Sequence, residues 1–379
     1  VLVRSARGVR RRLHEMEAGR GCPRGQLLRD DGRHDGGYGG GARSLRGVAR
    51  YIGKTCEAGP KGFPFGPAGY ISLVLMIEHR VRCWRVSAII HMGADGWKAR
   101  LDGDFTEENV ARLADAAGAL WDRDNPGSTV YVAYDARPEA KEFARLAAEV
   151  LSAYGLVVKL TDTATPMPAL SWAVARDGAA CGGVMITGSH RPAEYLSVKF
   201  RMADGACPTP DFNDDLEELI EAEPVGETGA FHSVAITPVY IKELMTLVDR
   251  EAIANAHLKI VYDPMFGAAC GVFAKALKGM GIEVREIHGV KNDETSEFHP
   301  SPVEPWMDDC EQAVVDGGAQ AGFANDGDAD RIGAVDERGR FISPDKIAAL
   351  LIGHLVKVRG ESGRVVVNLS SSALVRRVA

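Results

Sequence analysis

The segment NDGDADR, residues 325–331, contains three aspartates separated by single small residues, and we call it the acidic loop. Asp326, Asp328 and Asp330 cannot share one face of a helix, but on a turn that follows a strand they can converge. Carboxylates held this close repel one another unless a cation lies between them, and their hard oxygen ligands suit Mg²⁺ or Ca²⁺. The acidic loop therefore predicts a divalent-cation site with room for an oxygen from a substrate or a phosphate.

Three other interpretations of the acidic loop fit the residues less well. An EF-hand that begins at Asp326 would place Glu337 correctly at its last position, but Arg331 stands where that loop requires glycine. The D-x-D motif of haloacid-dehalogenase-like phosphatases has Thr or Val where Asp330 lies. A purely solvated acidic turn would leave the close packing of three aspartates unexplained.

A second segment with possible chemistry is TGSHRP, residues 187–192, which we call the serine loop. It follows the apolar run GGVMI, so Ser189 is expected just past the carboxyl end of a strand, where α/β proteins bind their ligands. Ser189 and His190 are adjacent and point in different directions on a loop, and the G-x-S-x-G elbow is absent, so a hydrolase dyad is not indicated. Lys199 could return to the same pocket and supply a positive charge. Taken alone, the serine loop is also compatible with an ordinary turn.

Alternating strands and helices must position these two loops. The helix predicted over FTEENVARLADAAGALW has apolar residues at helical spacing, with Thr106 as its N-cap and Asn109 completing a weakened capping box. The strands TVYVAYD, LVVKLTD and GGVMI alternate with the helices EAKEFARLAAEVLSAYG and ALSWAVARDG. Such alternation with short connections predicts a parallel sheet with helices on both faces. The expected fold class is α/β, with repeated three-layer α/β/α domains and mixed, mostly parallel sheets.

The same kind of unit recurs after Pro238. The helix YIKELMTLVDREAI, the strand LKIVYDP, the helix CGVFAKALKGMG, the strand IEVREI and a helix around residues 309–315 precede AGFAND, which leads into the acidic loop. A third block opens with the helix DKIAALLIGHLVKV and the strand RVVVNL. We therefore expect the following segments: a low-complexity basic extension over 1–87, a domain with the serine loop over 88–237, a domain with the acidic loop over 238–342, and the start of a third domain over 343–379.

Composition separates a basic beginning from an acidic body. A hydrophobic content of 45% and a charged content of 26% exclude wholesale disorder, a collagen and a membrane bundle. The net charge is −7, although the first fifty residues alone hold 12 arginines against 5 acidic residues. This Gly/Arg-rich head lacks the interleaved aromatic residues of a single-strand binder, so we interpret it as a flexible extension or as translated sequence upstream of the real start, and we expect neither a nucleic-acid nor a membrane partner. Seven scattered cysteines without C-x-x-C spacing favour a reduced, cytoplasmic protein, and nothing indicates the oligomeric state.

Taken together, the two loops resemble motifs of the α-D-phosphohexomutases, and most closely those of the phosphoglucomutase/phosphomannomutase group. TGSHRPAEYLSVKF is similar to the active-serine segment, commonly T-A-S-H-N-P followed by E-Y-N-G and K, and NDGDADRIGAVDERGRF is similar to the metal-binding loop. The segments GADGWKARLDGDFTEENV, YDARP and VYDPMFGAACG are similar to further loops of the family. These five motifs occur in the expected order over residues 88–379, whereas residues 1–87 match nothing in the family.

The resemblance implies an isomerase that moves a phosphoryl group between O1 and O6 of glucose or mannose through a phosphoserine. Mg²⁺ and a hexose 1,6-bisphosphate, as activator and intermediate, are the implied cofactors, and a hexose phosphate is the implied partner. The implied metal ligands are the phosphorylated Ser189, Asp326, Asp328 and Asp330. The implied catalytic residues are Ser189, His190 and Lys199, the last two exchanging protons with the sugar hydroxyl. The implied phosphate-binding residues are Arg331, Arg137 and Lys98.

The chain also departs from the family pattern. Arg191 stands at the family's Asn, Leu196-Ser197 at its N-G, and Lys98 at the Arg of its first motif. The family's sugar-reading G-E-x-S-G-H loop and the phosphate loop of its fourth domain have no match, so we expect a C-terminally truncated chain. Alternatives to the first assignment are a phosphoglucosamine mutase, a metal-dependent phosphatase in which water replaces the sugar hydroxyl, and a non-catalytic remnant that binds metal and phosphosugar.

Overall fold

The computed structural model describes the backbone of residues 2–5 and the residues 88–290 and 299–379. Nearly all of the predicted basic extension thus lies outside the described residues. Its one described element is β1 (Leu2–Ser5), which pairs antiparallel with β13 (Gly363–Val366). Among the helices in these ranges, none combines the length and the apolar character needed to cross a bilayer.

The first sheet has six strands in the spatial order β2-β6-β5-β3-β4-β7. Its strands are β2 (Trp97–Arg100), β3 (Thr129–Tyr134), β4 (Val157–Thr161), β5 (Ala180–Thr187), β6 (Tyr195–Met202) and β7 (His232–Val234). Its helices are α1 (Glu107–Asp124), α2 (Ala140–Ser152), α3 (Met167–Arg176) and α4 (Pro210–Glu218). Strand β6 runs antiparallel to both β2 and β5, while the pairs β5-β3, β3-β4 and β4-β7 are parallel.

Strand β3 shows why this sheet is covered on both faces. Its side chains alternate between the faces, so Val130 and Val132 belong to the apolar cluster formed with α1 and α2. Tyr131 and Ala133 belong instead to the cluster formed with α3. Every residue of β3 is therefore buried, as expected for the centre of a parallel sheet between two helical layers. The predicted three-layer α/β architecture is confirmed.

The predicted N-terminus of α1 is correct, but only part of its capping box forms. Thr106 Oγ1 accepts a hydrogen bond from the Asn109 backbone N–H at 3.2 Å, as the N-cap assignment requires. The Asn109 side-chain Nδ2 donates to the Asp104 carbonyl at 2.7 Å rather than serving Thr106. The cap is thus a single side-chain bond, supported by a contact to the preceding turn.

The second sheet has five strands in the order β12-β11-β10-β8-β9. Its strands are β8 (Lys259–Asp263), β9 (Glu283–Glu286), β10 (Ala321–Asn325), β11 (Ile332–Asp336) and β12 (Phe341–Ile342). The helices of this part are α5 (Thr237–Leu244), α6 (Arg250–Asn255), α7 (Val272–Lys278) and α8 (Asp308–Gly317). It is followed by α9 (Pro344–Gly353), which continues as a π-helical turn (His354–Val358), and by β13 and α10 (Ala373–Val378).

The single helix predicted over YIKELMTLVDREAI is wrong, because the chain there forms α5 and α6. Thr246 Oγ1 donates to the Glu243 carbonyl at 2.7 Å, a local side-chain bond that competes with helix continuation. Asp249 then accepts a hydrogen bond from the Ala252 N–H at 2.9 Å and caps a new helix. The helical period continues through this break, so the apolar pattern alone conceals it.

The two sheets repeat one topology. In the first, β3, α2, β4, α3 and β5 are followed by the antiparallel strand β6, and in the second, β8, α7, β9, α8 and β10 are followed by the antiparallel strand β11. The spatial orders β4-β3-β5-β6 and β9-β8-β10-β11 correspond strand by strand. The serine loop follows β5 and the acidic loop follows β10, so the two loops occupy equivalent places in the two repeats.

Candidate active site

Ser189 is buried and faces the acidic loop. Its Oγ donates a hydrogen bond to Asp326 Oδ2 at 2.8 Å, which joins the two repeats directly. Ser189 has φ +48°, a left-handed conformation that a side-chain-bearing residue adopts only when its surroundings enforce it. One such support is the hydrogen bond from its backbone N–H to Thr187 Oγ1 at 2.7 Å.

Two residues that follow β3 lie beneath the serine loop. The Asp135 carboxylate is almost fully buried, and its Oδ2 accepts hydrogen bonds from Thr187 Oγ1 at 2.8 Å and from the Gly188 N–H at 3.0 Å. The Arg137 guanidinium donates to backbone carbonyls of the serine loop, including that of Pro192 at 2.7 Å. The predicted phosphate contact of Arg137 stays a prediction. In this structure the N–H groups of its guanidinium donate to carbonyls of the loop itself.

The acidic loop is folded around Asp326. Asp326 Oδ1 accepts hydrogen bonds from the backbone N–H groups of Asp330 and Arg331, at 3.1 and 3.0 Å. Asp326 and Asp328 have no exposed surface, whereas Asp330 reaches the surface. Burial and the neighbouring charges of Asp328 and Asp330 raise the pKa of Asp326 to about 8. The carboxylates therefore gain strongly from an added positive charge.

The donor set fits a hard divalent cation. One carboxylate oxygen from each of Asp326, Asp328 and Asp330 lies within 4.8 Å of the others. Asp328 Oδ1 is buried and has no hydrogen-bond partner among the described residues, so a lone pair is left without a donor. Oxygen ligands of this kind are those that Mg²⁺ and Ca²⁺ take in proteins. The convergence expected from the sequence is thus present.

Lys199 lies beside this carboxylate cluster. Its Nζ is 2.9 Å from Asp328 Oδ2, 3.0 Å from Asp95 Oδ2 and 3.6 Å from Asp330 Oδ2. Burial alone would lower the pKa of Lys199, but the charges of Asp328, Asp330 and Asp95 outweigh it and raise the pKa well above the usual range. Lys199 therefore carries a fixed positive charge at the site.

Asp95 is a site residue that the sequence reasoning did not single out. It binds Lys199 and also accepts a hydrogen bond from Arg201 Nη1 at 2.8 Å, so it holds two cations of β6. The only signal for it was its position inside the motif segment GADGWK. A lone aspartate there gives no indication that its partners arrive from a strand a hundred residues later.

His190 stands next to the serine hydroxyl. Its Nδ1 lies 3.4 Å from Ser189 Oγ. Burial, followed by the positive charges of Arg331, Arg191 and Lys199, lowers the pKa of His190 to about 4. The imidazole is therefore neutral near pH 7 and retains a nitrogen that can accept a proton.

A cleft of about 900 Å³ opens over Ser189. It is lined on one side by the segment that leads into β2 and on the other by the serine loop, and Lys98, Arg191 and Arg331 lie along it. The Arg331 side chain is about half exposed, and its Nε is 3.8 Å from both Asp326 Oδ2 and Asp330 Oδ1, so its fork is available to an anion. Volume and charge suit a phosphorylated small molecule.

Comparison with known proteins agrees with this geometry. Residues 90–226 match the family model of phosphoglucomutase/phosphomannomutase alpha/beta/alpha domain I, and residues 238–339 match that of domain II. The chain belongs to the phosphoglucomutase/phosphomannomutase family. The match to domain I includes the serine loop and the match to domain II includes the acidic loop, so the family resemblance read from the motifs is confirmed.

Family members of several names are similar to this chain. A phosphoglucosamine mutase from Paenarthrobacter aurescens is 34% identical over 277 residues, which is 68% of this chain and 58% of that protein. A phosphoglucosamine mutase from Natranaerobius thermophilus is 30% identical over 275 residues, or 71% of this chain and 60% of that protein. A phosphoglucomutase/phosphomannomutase from Thermococcus kodakarensis is 31% identical over 219 residues, 56% of this chain and 48% of that protein.

Solved structures of the phosphoglucomutase/phosphomannomutase family share the fold. A Thermus thermophilus protein provisionally assigned as a phosphomannomutase superposes with a TM-score of 0.67 at 30% identity, covering 72% of this chain and 62% of that one. A family protein from Burkholderia thailandensis superposes with a TM-score of 0.58 at 25% identity, covering 70% and 58%. In each of these comparisons the chain spans less than two thirds of its relative's length.

Proposed function

We propose that this chain provides the phosphoserine and the cation-binding parts of a phosphohexomutase. The observation that carries the proposal is the 2.8 Å hydrogen bond between Ser189 Oγ and Asp326 Oδ2, which places a hydroxyl nucleophile against a cluster of hard cation ligands. Neither an ordinary turn nor a solvated acidic loop accounts for a buried serine held in a left-handed conformation at this contact.

In the proposed reaction, Ser189 exchanges a phosphoryl group with a hexose phosphate. The Ser189 Oγ–P bond forms and the P–O bond to the sugar breaks, and the sugar oxygen takes up the proton that the serine hydroxyl gives up. His190 Nδ1, 3.4 Å from Ser189 Oγ, is the neutral group placed to relay this proton. The reverse transfer to the other hydroxyl of the sugar would complete the isomerisation.

Phosphoryl transfer depends mainly on positioning and on charge neutralisation. Asp326, Asp328 and Asp330 would hold Mg²⁺, which when bound lowers the charge on the phosphate oxygens, and a phosphate on Ser189 would add an oxygen ligand. Lys199 keeps its positive charge next to the phosphate position because three carboxylates surround it. Arg331 and Lys98 lie along the cleft, where they would bind the second phosphate of a bisphosphate.

The sugar is glucose or mannose in our first proposal, with glucosamine as the second candidate. The second is favoured by the name phosphoglucosamine mutase that relatives at 30% and 34% identity carry. A comparison of glucose 1-phosphate with glucosamine 1-phosphate as substrates decides between the two candidates.

Intact-mass analysis of the purified chain tests the proposal. Incubation with glucose 1,6-bisphosphate and Mg²⁺ should add one phosphate, located by peptide mapping at Ser189, and Ser189→Ala should abolish the addition. The matched control is Ser152→Ala, which changes a serine on α2 whose hydroxyl donates to the Ala148 carbonyl. No added phosphate, or phosphate on another residue, would overturn the proposal.

A second measurement separates the competing activities. With glucose 1-phosphate or glucosamine 1-phosphate and a trace of the matching bisphosphate, a mutase forms the 6-phosphate without releasing inorganic phosphate. A phosphatase releases inorganic phosphate in proportion to the substrate consumed. A chain that binds Mn²⁺ but neither takes up phosphate nor turns over would correspond to the non-catalytic alternative.

A further inference from the structure

Arg137 lies beneath the serine loop, and the described hydrogen bonds of its guanidinium all go to backbone carbonyls of the segment that follows β5. Its Nη1 donates to the carbonyls of Pro192 and Tyr195 at 2.7 and 3.2 Å. Its Nη2 donates to the carbonyl of Ser189 at 3.2 Å and to that of Arg191. One guanidinium thus gathers four carbonyls from a stretch of seven residues.

The fit of Arg137 is close on its other sides as well. A Cβ built on Gly188 would fall 2.0 Å from the Arg137 Cζ, so the glycine backbone lies flat against the guanidinium. Asp135 Oδ2 lies 3.5 Å from Arg137 Nε and holds the charge from the strand side. The side chain is only 12% exposed. Its fork is therefore occupied, which contrasts with the half-exposed Arg331.

We propose that Arg137 is a positioning residue: it fixes the serine loop in the conformation that presents Ser189, and it does not bind the substrate phosphate. We call the four hydrogen bonds from the Arg137 guanidinium to backbone carbonyls the clamp. The carbonyl of Ser189 is one of the four acceptors, so the clamp acts at the residue whose backbone is in the left-handed region. A left-handed backbone at a side-chain-bearing residue persists only when its surroundings over-determine it. The expected effect of Arg137 on Ser189 phosphorylation rests on the proposed function, whereas its effect on the conformation of the serine loop does not.

Arg137→Lys is the first test, because lysine keeps the charge but replaces a planar fork by a single ammonium, which cannot reach four carbonyls in this geometry. Hydrogen–deuterium exchange reports on the loop through the amides of Gly188, Ser189 and Arg191, which are bonded to Asp135, Thr187 and the Gly188 carbonyl. We expect exchange of these amides to accelerate about tenfold or more, as local opening becomes easier. The exposed Arg145→Lys is the matched control and should change nothing.

The rate of Ser189 phosphorylation by glucose 1,6-bisphosphate separates positioning from phosphate binding. Arg137→Lys should lower the maximal rate and leave the bisphosphate concentration for half-maximal rate unchanged. Arg331→Lys should raise that concentration without affecting loop exchange. A raised half-maximal concentration for Arg137→Lys, with wild-type exchange in the serine loop, would overturn the inference.

Arg137→Gln provides a second variant if Arg137→Lys folds poorly. Its amide has only two N–H donors and cannot serve four carbonyls, so it should reproduce the accelerated exchange; unchanged exchange would also count against the proposed role of Arg137. If the wild-type chain takes up no phosphate, the proposed function fails while the exchange comparison still decides the role of Arg137.

Discussion

Gly327→Ala is a small change at the point where the two loops touch. A Cβ at Gly327 would lie 2.7 Å from the Ser189 carbonyl oxygen, well inside ordinary contact. Gly327 cannot retreat easily, because its own carbonyl accepts a hydrogen bond from the Ala268 N–H at 2.8 Å and the next carbonyl accepts one from the Met167 N–H at 2.8 Å. The added methyl group must therefore push the acidic loop and the serine loop apart.

The size of the effect follows from these distances. Restoring ordinary contact requires a separation of about 0.7 Å or more, which would stretch the 2.8 Å bond between Ser189 and Asp326 beyond the usual range for O–H···O bonds. Overpacking of this kind costs about 1–3 kcal/mol of folding free energy. A misplacement approaching 1 Å at a reacting group lowers the rate about 100-fold. We therefore expect Ser189 phosphorylation to slow by about 10- to 100-fold, with a modest loss of thermal stability.

The assay is the initial rate of phosphate uptake from glucose 1,6-bisphosphate at saturating Mg²⁺, followed by intact mass, with the melting temperature measured in parallel. Gly178→Ala is the matched control, because a Cβ there meets nothing within 4 Å. If Gly327→Ala phosphorylates Ser189 as fast as Gly178→Ala does, the close approach of the loops is not needed for the chemistry and our reasoning is refuted.

Two further predictions concern the carboxylates. Asp328→Asn should abolish Mg²⁺-dependent phosphorylation and weaken Mn²⁺ binding in calorimetry, while Asp122→Asn on the exposed face of α1 should not; retained Mg²⁺ dependence would argue against the acidic loop as the cation site. Burial alone would lower the pKa of His288, but the hydrogen bond to Asp263 and the charges of Asp263 and Asp309 outweigh burial and raise the pKa. The interaction of protonated His288 with these carboxylates therefore stabilises the fold fully below the usual histidine pKa of 6.5, and this stabilisation is lost as the pH rises through the pKa of the folded state. We expect His288→Gln to cost about 1.5–3 kcal/mol in urea unfolding near pH 6 and distinctly less near pH 9, and an equal loss at both values would contradict this.

Much of the architecture could be predicted because its signals are local. The central strands β3 and β5 are continuous apolar runs between amphipathic helices, and the serine loop follows β5 directly, while the acidic loop follows strand β10. Since the carboxyl ends of parallel strands share one edge, loops that follow them are natural places for a site. Residue types in these loops then indicated phosphate and cation chemistry.

Strand β6 went unpredicted for a physical reason. It buries Ser197, Lys199 and Arg201 on the face opposite Leu196 and Val198, and charged residues at buried positions hide a strand from an apolar pattern. These polar positions are tolerable only because Asp95 and Asp328 arrive from elsewhere to neutralise them. Partners that are distant in sequence cannot be read from local spacing.

The orientation of Arg137 illustrates the same limit. Its motif position allows it either to point at a phosphate or to turn beneath its own neighbours, and the outcome depends on how β3 and the β5–β6 connection approach each other. Sequence similarity identified the residue, whereas only the three-dimensional arrangement distinguishes its carbonyl contacts from a ligand contact.

The meeting of Ser189 with Asp326 also has a mechanical consequence, because each comes from a different sheet. A ligand that contacts both loops binds only when the two repeats are in contact, so its binding free energy stabilises the contact between them. A phosphate on Ser189 and a cation at the acidic loop would thus strengthen the contact between the two loops. The phosphorylated, cation-bound protein should therefore resist separation of its two repeats more strongly than the unphosphorylated protein without the cation. The cooperativity with which the two repeats unfold should increase with the degree of phosphorylation.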